Sequence, residues 1–269
     1  MAAPTSIQRV LTTGWDIHPS LLLAIGLLVA AYLAGVVVVG RRLHRTPSPV
    51  QTLSFAGGIA LLLLALQSPL HHLADDYLFS AHMIQHELIT LAVPPLLLFG
   101  TPDWMVRGLA QRLPFKAVFH TAAYPILAFA AFNVVFAFAH VPAIYDVLFG
   151  NEALHRGTHI LFVMLATVTW LPILSPVPDI IPRISQPGQM LYCFLQTIPG
   201  GLVGSLLTLA DWVMYQHYGT RPFDLGFSPV SDQQLGGLIM WVVAGTFFLV
   251  VLTTIFFVWA DREEAKAFG

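Results

Sequence analysis

Seven stretches of this sequence, 20–40, 51–68, 79–99, 118–139, 155–174, 188–210 and 234–260, are apolar runs close to the ~20 residues that a helix needs to cross a bilayer. Nothing else in the chain constrains its fold as strongly. Backbone N–H and C=O groups in hydrocarbon must be satisfied internally, and the dyad alternation of a membrane barrel is absent, so each run is expected to be a helix. Only 10% of the residues are charged, against ~25% in soluble domains, too few for a water-soluble fold. There is no internal repeat and no linker long enough to separate domains. The expected architecture is all-α: one polytopic bundle over residues 1–269 with seven transmembrane helices. Residues 1–19 hold one basic residue, two prolines and no apolar run, and are not expected to be a cleavable signal.

Direction follows from the basic residues of the short loops. Arg41, Arg42, Arg45, Arg107, Arg112, Lys116, Arg183, Arg262 and Lys266 fall on one side; Arg9, Arg156 and Arg221 fall on the other. This puts the C-terminus in the cytoplasm and, with seven spans, the N-terminus outside. Trp15, Trp212 and Trp259 stand near span ends, where interfacial aromatics belong. A net charge of −2 offers nothing to nucleic acid. A single cysteine, Cys193, excludes an intrachain disulfide and a CxxC metal carrier.

The histidines run against the basic residues. His18, His71, His72, His82, His86, His140, His155, His159 and His217 fall toward the outer face, and only His44 and His120 toward the cytoplasm. Two HxxxH pairs stand out: His82/His86 on the third span, and His155/His159 on the fifth. Residues four apart share a helix face. At ~1.5 Å per residue, His86 lies roughly 10 Å, and His159 roughly 6 Å, below the starts of their spans. Neighbouring helices would therefore bring up to four imidazoles to one depth, with His140 in reach. Imidazole suits Zn, Cu, Fe and Ni, and the thioethers of Met83, Met214 and Met240 favour Cu(I). The blander reading is an interfacial histidine bonded to water or a carbonyl. Polar side chains inside spans are costly and usually face a bundle interior or cavity, which favours ligation. His18, His71, His72 and His217 are expected to be solvated loop residues.

Other polar groups have simpler readings. Glu87 points about 100° away from His86, either as a partner of the histidines or as a protonated interhelical donor. Asn133 reads as interhelical glue, Cys193 as packing, and Met164 and "AFAAFNVVFAFAH" as packing surface. Pro94 and Pro95, and Pro199 with Gly200 and Gly201, should disturb their helices.

"LFSAHMIQHELITLAVPPLLLFGTP" resembles the signature helix of the CtaG-type cytochrome c oxidase assembly factors, seven-helix proteins of the bacterial plasma membrane. "AHVPAIYD", "ALHRGTHILFVMLATVTWLPIL" and "DQQLGGLIMWVVAG" are similar to further segments of that family, and the resemblance covers most of residues 50–260. It implies copper supply to, or insertion into, an oxidase. Carried over by position, it makes His82, His86, His140, His155 and His159 the candidate ligands of a copper ion toward the outer face. Met83, Glu87, Asp232 and Met240 are accessory candidates. Asp232 and Gln233, which open the last span, could orient or extend the site, and Gln85 or Glu87 could fix ring orientation. One departure is Glu87, where such helices commonly carry an aliphatic residue. The implied partners are an oxidase subunit or another copper carrier, and the lipid bilayer; self-association into a homo-oligomer stays open.

Two other readings compete with this non-enzymatic one. A zinc hydrolase would use three protein ligands and a water, with Glu87, Asp211 or Asp232 as base, but neither HExxH nor a serine motif is present. A bis-histidine haem protein would use the aromatic helices as a pocket.

Overall fold

The computed structural model describes residues 7–15, 17–110 and 124–268, and every regular element among them is helical. After a short α1 (Ile7–Thr13), the described helices are α2 (Pro19–Leu43), α3 (Pro49–Gln67), α4 (Pro69–Asp76), α5 (Phe79–Gly100), α6 (Asp103–Ala110), α7 (Pro125–Ala139), α8 (Pro142–Phe149), α9 (Glu152–Leu174), α10 (Gln186–Leu209) and α11 (Pro229–Phe268). Six of them, α2, α3, α5, α9, α10 and α11, are long and apolar enough to cross a membrane. The chain is a multi-pass membrane protein.

The fourth expected span, 118–139, is described only from Tyr124 onward; Arg112, Lys116 and His120 lie outside the described residues. Its described portion, α7, meets α8 at an 83° bend, and the pair counts as a seventh span only if taken together. The last span starts earlier than expected, at Pro229, and runs 40 residues. That is about 60 Å at 1.5 Å per residue, twice the hydrocarbon thickness, so α11 extends well beyond the bilayer core.

Local chemistry explains the helix boundaries. Ser48 and Gln51 form a reciprocal capping box ahead of α3, with Pro49 at the first helical position. Asn151 caps α9 by accepting from Ala153 and Leu154 N–H, and Ser185 accepts from Gly188 N–H at the start of α10. The prolines act differently from one another. α10 runs through Pro199 as one helix, whereas α5 widens into a π turn at Leu88–Ala92 just before Pro94 and Pro95.

Packing places α5 at the centre. Its C-terminal half lies on α3, its N-terminal half on α4 and α11, and α9 packs along it. α10 and α11 approach to backbone contact: a Cβ on Gly204 would stand 2.6 Å from Gly237 O, and one on Gly237 2.6 Å from Gly204 O. Small residues at such a crossing are what association inside a bilayer requires. Asn133 Nδ2 donates to Gln196 Oε1 at 2.8 Å, the α7–α10 bond expected of it, and Cys193 is buried in an aromatic cluster with Trp170 and Tyr192.

Candidate metal centre

The two histidine pairs meet. His82 and His86 are buried on α5, His155 and His159 on α9, and the rings within each pair lie 4.3 and 4.5 Å apart between centroids. Across the helices, His82 stands 5.7 Å from His155 and 5.9 Å from His159, and His86 5.4 Å from His159. His140, closing α7, is buried too. All five sequence-predicted histidines line one cavity of about 20 Å³, closed by Tyr145, Phe149 and Phe162.

Proline chemistry helps to set this register. The Thr90 carbonyl would normally accept from the amide four residues on, or five within a π turn, but Pro94 and Pro95 occupy both positions and have no N–H. The Trp170 indole of α9 donates to that carbonyl instead, at 3.1 Å. The bond ties α9 to α5 below the histidines.

A carboxylate that sequence analysis missed completes the cluster. Asp75 Oδ1, from α4, lies 3.1 Å from His155 Nε2 and 3.4 Å from His71 Nδ1, while His155 Nε2 lies 3.0 Å from His159 Nε2. Asp75, His82 and His155 can each offer a ligand atom within 4.8 Å of the others, and so can His71, Asp75 and His159. Atoms bound to one tetrahedral ion at 2.0–2.1 Å stand ~3.3 Å apart, close to these separations. Burial pushes the Asp75 carboxyl up, but the hydrogen bond with His155 and the charges of His155, His71 and His18 outweigh it and leave the carboxyl below its ordinary range.

His71 corrects the sequence reading. It is not solvated but 2% exposed, and the Gln85 carboxamide donates to its Nδ1 at 2.8 Å and to Ala65 O at 2.7 Å. Gln85 therefore fixes His71 rather than the α5 pair. The i, i+4 spacing of His71 and Asp75 in "HHLADD" is the same signal that marked the HxxxH pairs, and it was the clue available. His18, His72 and His217 are partly buried at the rim. The His18 ring meets His71 edge-on at 4.6 Å, His72 faces Asp76 at 3.1 Å, and His217 Nε2 donates to Asp75 O at 2.8 Å.

The accessory candidates are dispersed. Asp232 is not beside the imidazoles; its carboxylate accepts from Phe79 N–H (2.7 Å), Ser80 N–H (3.3 Å) and the Ser80 hydroxyl, capping α5 from α11. It positions the helix that carries His82 and His86. Gln233 is also spoken for, accepting from Met214 N–H and donating to Trp212 O. Met83, Glu87 and Met240 line a different cavity from the one the five histidines share. Two tyrosines brace the surroundings: Tyr218 donates to Ala74 O beside Asp75, and Tyr215 to His140 O.

Residues 30–262 match the cytochrome c oxidase caa3 assembly factor family. The chain belongs to that family. Curated relatives include an uncharacterized protein of Mycobacterium bovis and one of Mycobacterium tuberculosis, each 24% identical over 288 aligned residues. The alignments take in 98% of this chain but only 42% of either relative, so the chain spans about two fifths of their length. No solved structure matches it. The family match takes in α5, α7, α9 and nearly all of α11, and with them His140 and both histidine pairs.

Proposed function

We propose that this chain is a non-enzymatic assembly factor that binds copper and passes it to a cytochrome c oxidase subunit or to another carrier. The membership in an oxidase assembly family supports the pathway, and the histidine cluster supports the cargo. The proposed ligands are His82, His86, His155 and His159 with Asp75, and His71 and His140 stand at the edges of the set. In this reading the bundle is one domain in the bacterial plasma membrane, N-terminus outside, and the centre faces the outer side.

One observation carries the metal reading. His155 Nε2 has at most one proton to share between Asp75 Oδ1 and His159 Nε2, which lie at nearly equal distances. A cation would satisfy the carboxylate and both imidazole lone pairs together. Buried polar atoms normally find partners, yet His82 Nδ1 has none among the described residues. The size of the cavity supports an ion over a haem, since about 20 Å³ is room for an ion or a water.

Neutral imidazoles would hold the ion, and Asp75 would supply the counter-charge that a buried cation needs. Elemental analysis of the purified protein beside a His155→Ala, His159→Ala variant tests the reading. The variant is expected to fall to background copper while eluting as a folded species; equal copper in both would overturn the assignment.

A further inference from the structure

A second cavity of about 50 Å³ lies one to two turns further along α5, between α5, α7, α10 and α11. His86, His140 and Phe162 line both cavities, so two imidazoles and a phenyl ring form the wall between them. Beyond that wall the chemistry changes. The outer cavity has histidines and no thioether; this one has the thioethers of Met83 and Met240, both almost fully buried, and the carboxyl of Glu87.

Three buried polar atoms here lack protein partners among the described residues: Gln196 Nε2, which is a donor, and two that can accept. Of the two acceptors, Glu87 Oε2 is one. The other is His140 Nε2: His140 Nδ1 lies 2.7 Å from Phe136 O, a carbonyl that can only accept, so Nδ1 carries the proton and Nε2 presents its lone pair. His140 is 7% exposed. Neither group helps to hold the helices together, and each is expensive to leave unsatisfied in the bilayer core.

We propose that this chamber is a second metal subsite, specific for a soft monovalent cation, Cu(I), which reaches it from the histidine–aspartate centre by exchange at His86 and His140. The inference rests on the copper reading above but assigns a separate site. Thioether and imidazole donors select Cu(I) over harder ions. Charge selects it as well. Glu87 is the one carboxyl lining the chamber among the described residues, and no lysine or arginine lines it. A monovalent ion beside one carboxylate is neutral, whereas a divalent ion would leave a net charge in low dielectric, which is costly. The transfer changes no oxidation state: Cu(I) leaves Asp75 and the outer imidazoles and arrives at the thioethers and Glu87, and the proton on the buried Glu87 carboxyl leaves as the ion binds, so the chamber stays neutral.

The test is an anaerobic Cu(I) titration of the full detergent-purified chain against a competing chelator, with X-ray absorption read at each equivalent. The wild type is expected to take up a second equivalent, and sulfur scattering to appear only with it. Met83→Leu, Met240→Leu and the isosteric Glu87→Gln should each weaken that second equivalent at least tenfold and leave the first unchanged. Zn(II) should fill the first site alone. Purely nitrogen and oxygen coordination, or a second Zn(II) bound as tightly as Cu(I), would overturn the second site while leaving the copper reading intact. Failure to bind even the first equivalent would overturn both. Should the methionine variants not fold, Glu87→Gln decides alone, and an unchanged second equivalent in it refutes the proposal.

Discussion

The two halves of α5 are held in different proportions by polar bonds and by contact. From Phe79 to Glu87 the helix is fixed by directional polar bonds: Asp232 caps its first amides and Gln85 ties it to α3 and His71. From Val93 to Gly100 it is fixed mainly by close contact, with Ser54 Oγ donating to Leu96 O at 2.9 Å and the Tyr32 hydroxyl to Gly100 O at 3.3 Å. Val93 and Leu97 pack with Phe55, Leu62 and Ala65 of α3, and Gly100 is so close to Phe55 that a Cβ would stand 2.4 Å from its backbone nitrogen. The two prolines mark the junction, where Trp170 takes up the carbonyl they leave unpaired. Packing supplies a scaffold at one end, and polar bonds aim side chains at the other. In a bilayer the apolar end gains little from hydrophobicity, since lipid is equally apolar, so it depends on close fit.

Breaking the contact end should do the most damage. Gly100→Val forces backbone apart at Phe55 and is expected to destabilise by about 3 kcal/mol or more, read as loss of monodisperse protein in detergent. A variant that folds and melts normally would show that the α3 contact is not what seats the helix. Trp170→Phe keeps the ring but removes the donor to Thr90 O. The expected cost is ~1–3 kcal/mol for an orphaned buried carbonyl, with weaker metal binding as the α5–α9 register loosens.

Asp232→Asn tests the polar end without changing its shape. Loss of the charged cap should cost about 1 kcal/mol in thermal stability and roughly tenfold in copper affinity, the usual effect of disturbing a group that orients ligands. An affinity loss without a stability loss would show that Asp232 acts on the metal other than by capping α5.

Acid should give the smallest and most graded effect on the apo protein. Burial, with help from the charges of Arg221 and His155, pushes the His217 imidazole below its ordinary value. Its contribution to stability is complete above ~6.5 and is lost as pH falls through its folded value. Asp75 is also depressed, so its contribution is complete above ~3.9 and disappears at lower pH. Melting temperature is therefore expected to decline as pH falls, and to decline less over the histidine range in His217→Gln. Copper affinity should fall over the histidine range as well, because protonated imidazole cannot ligate.

Much of this protein was legible in one dimension. Six of the seven expected spans appear as helices, five of them within three residues at each end, because bilayer transfer energies add along a local window and capping residues such as Ser48, Asn151 and Ser185 mark the starts. The HxxxH pairs were legible for the same reason: i, i+4 spacing means one face in any α-helix. Tertiary structure alone decided the rest. That α5 and α9 are neighbours, that Asp232 caps a helix 152 residues away in sequence, and that His71 and Asp75 are drawn inward depend on how helices rotate against one another. Hydropathy carries no information on that rotation, since lipid and helix offer an apolar face nearly the same environment. It also reads α4 as a loop, because eight residues with two histidines and two aspartates cannot announce burial that only their neighbours provide.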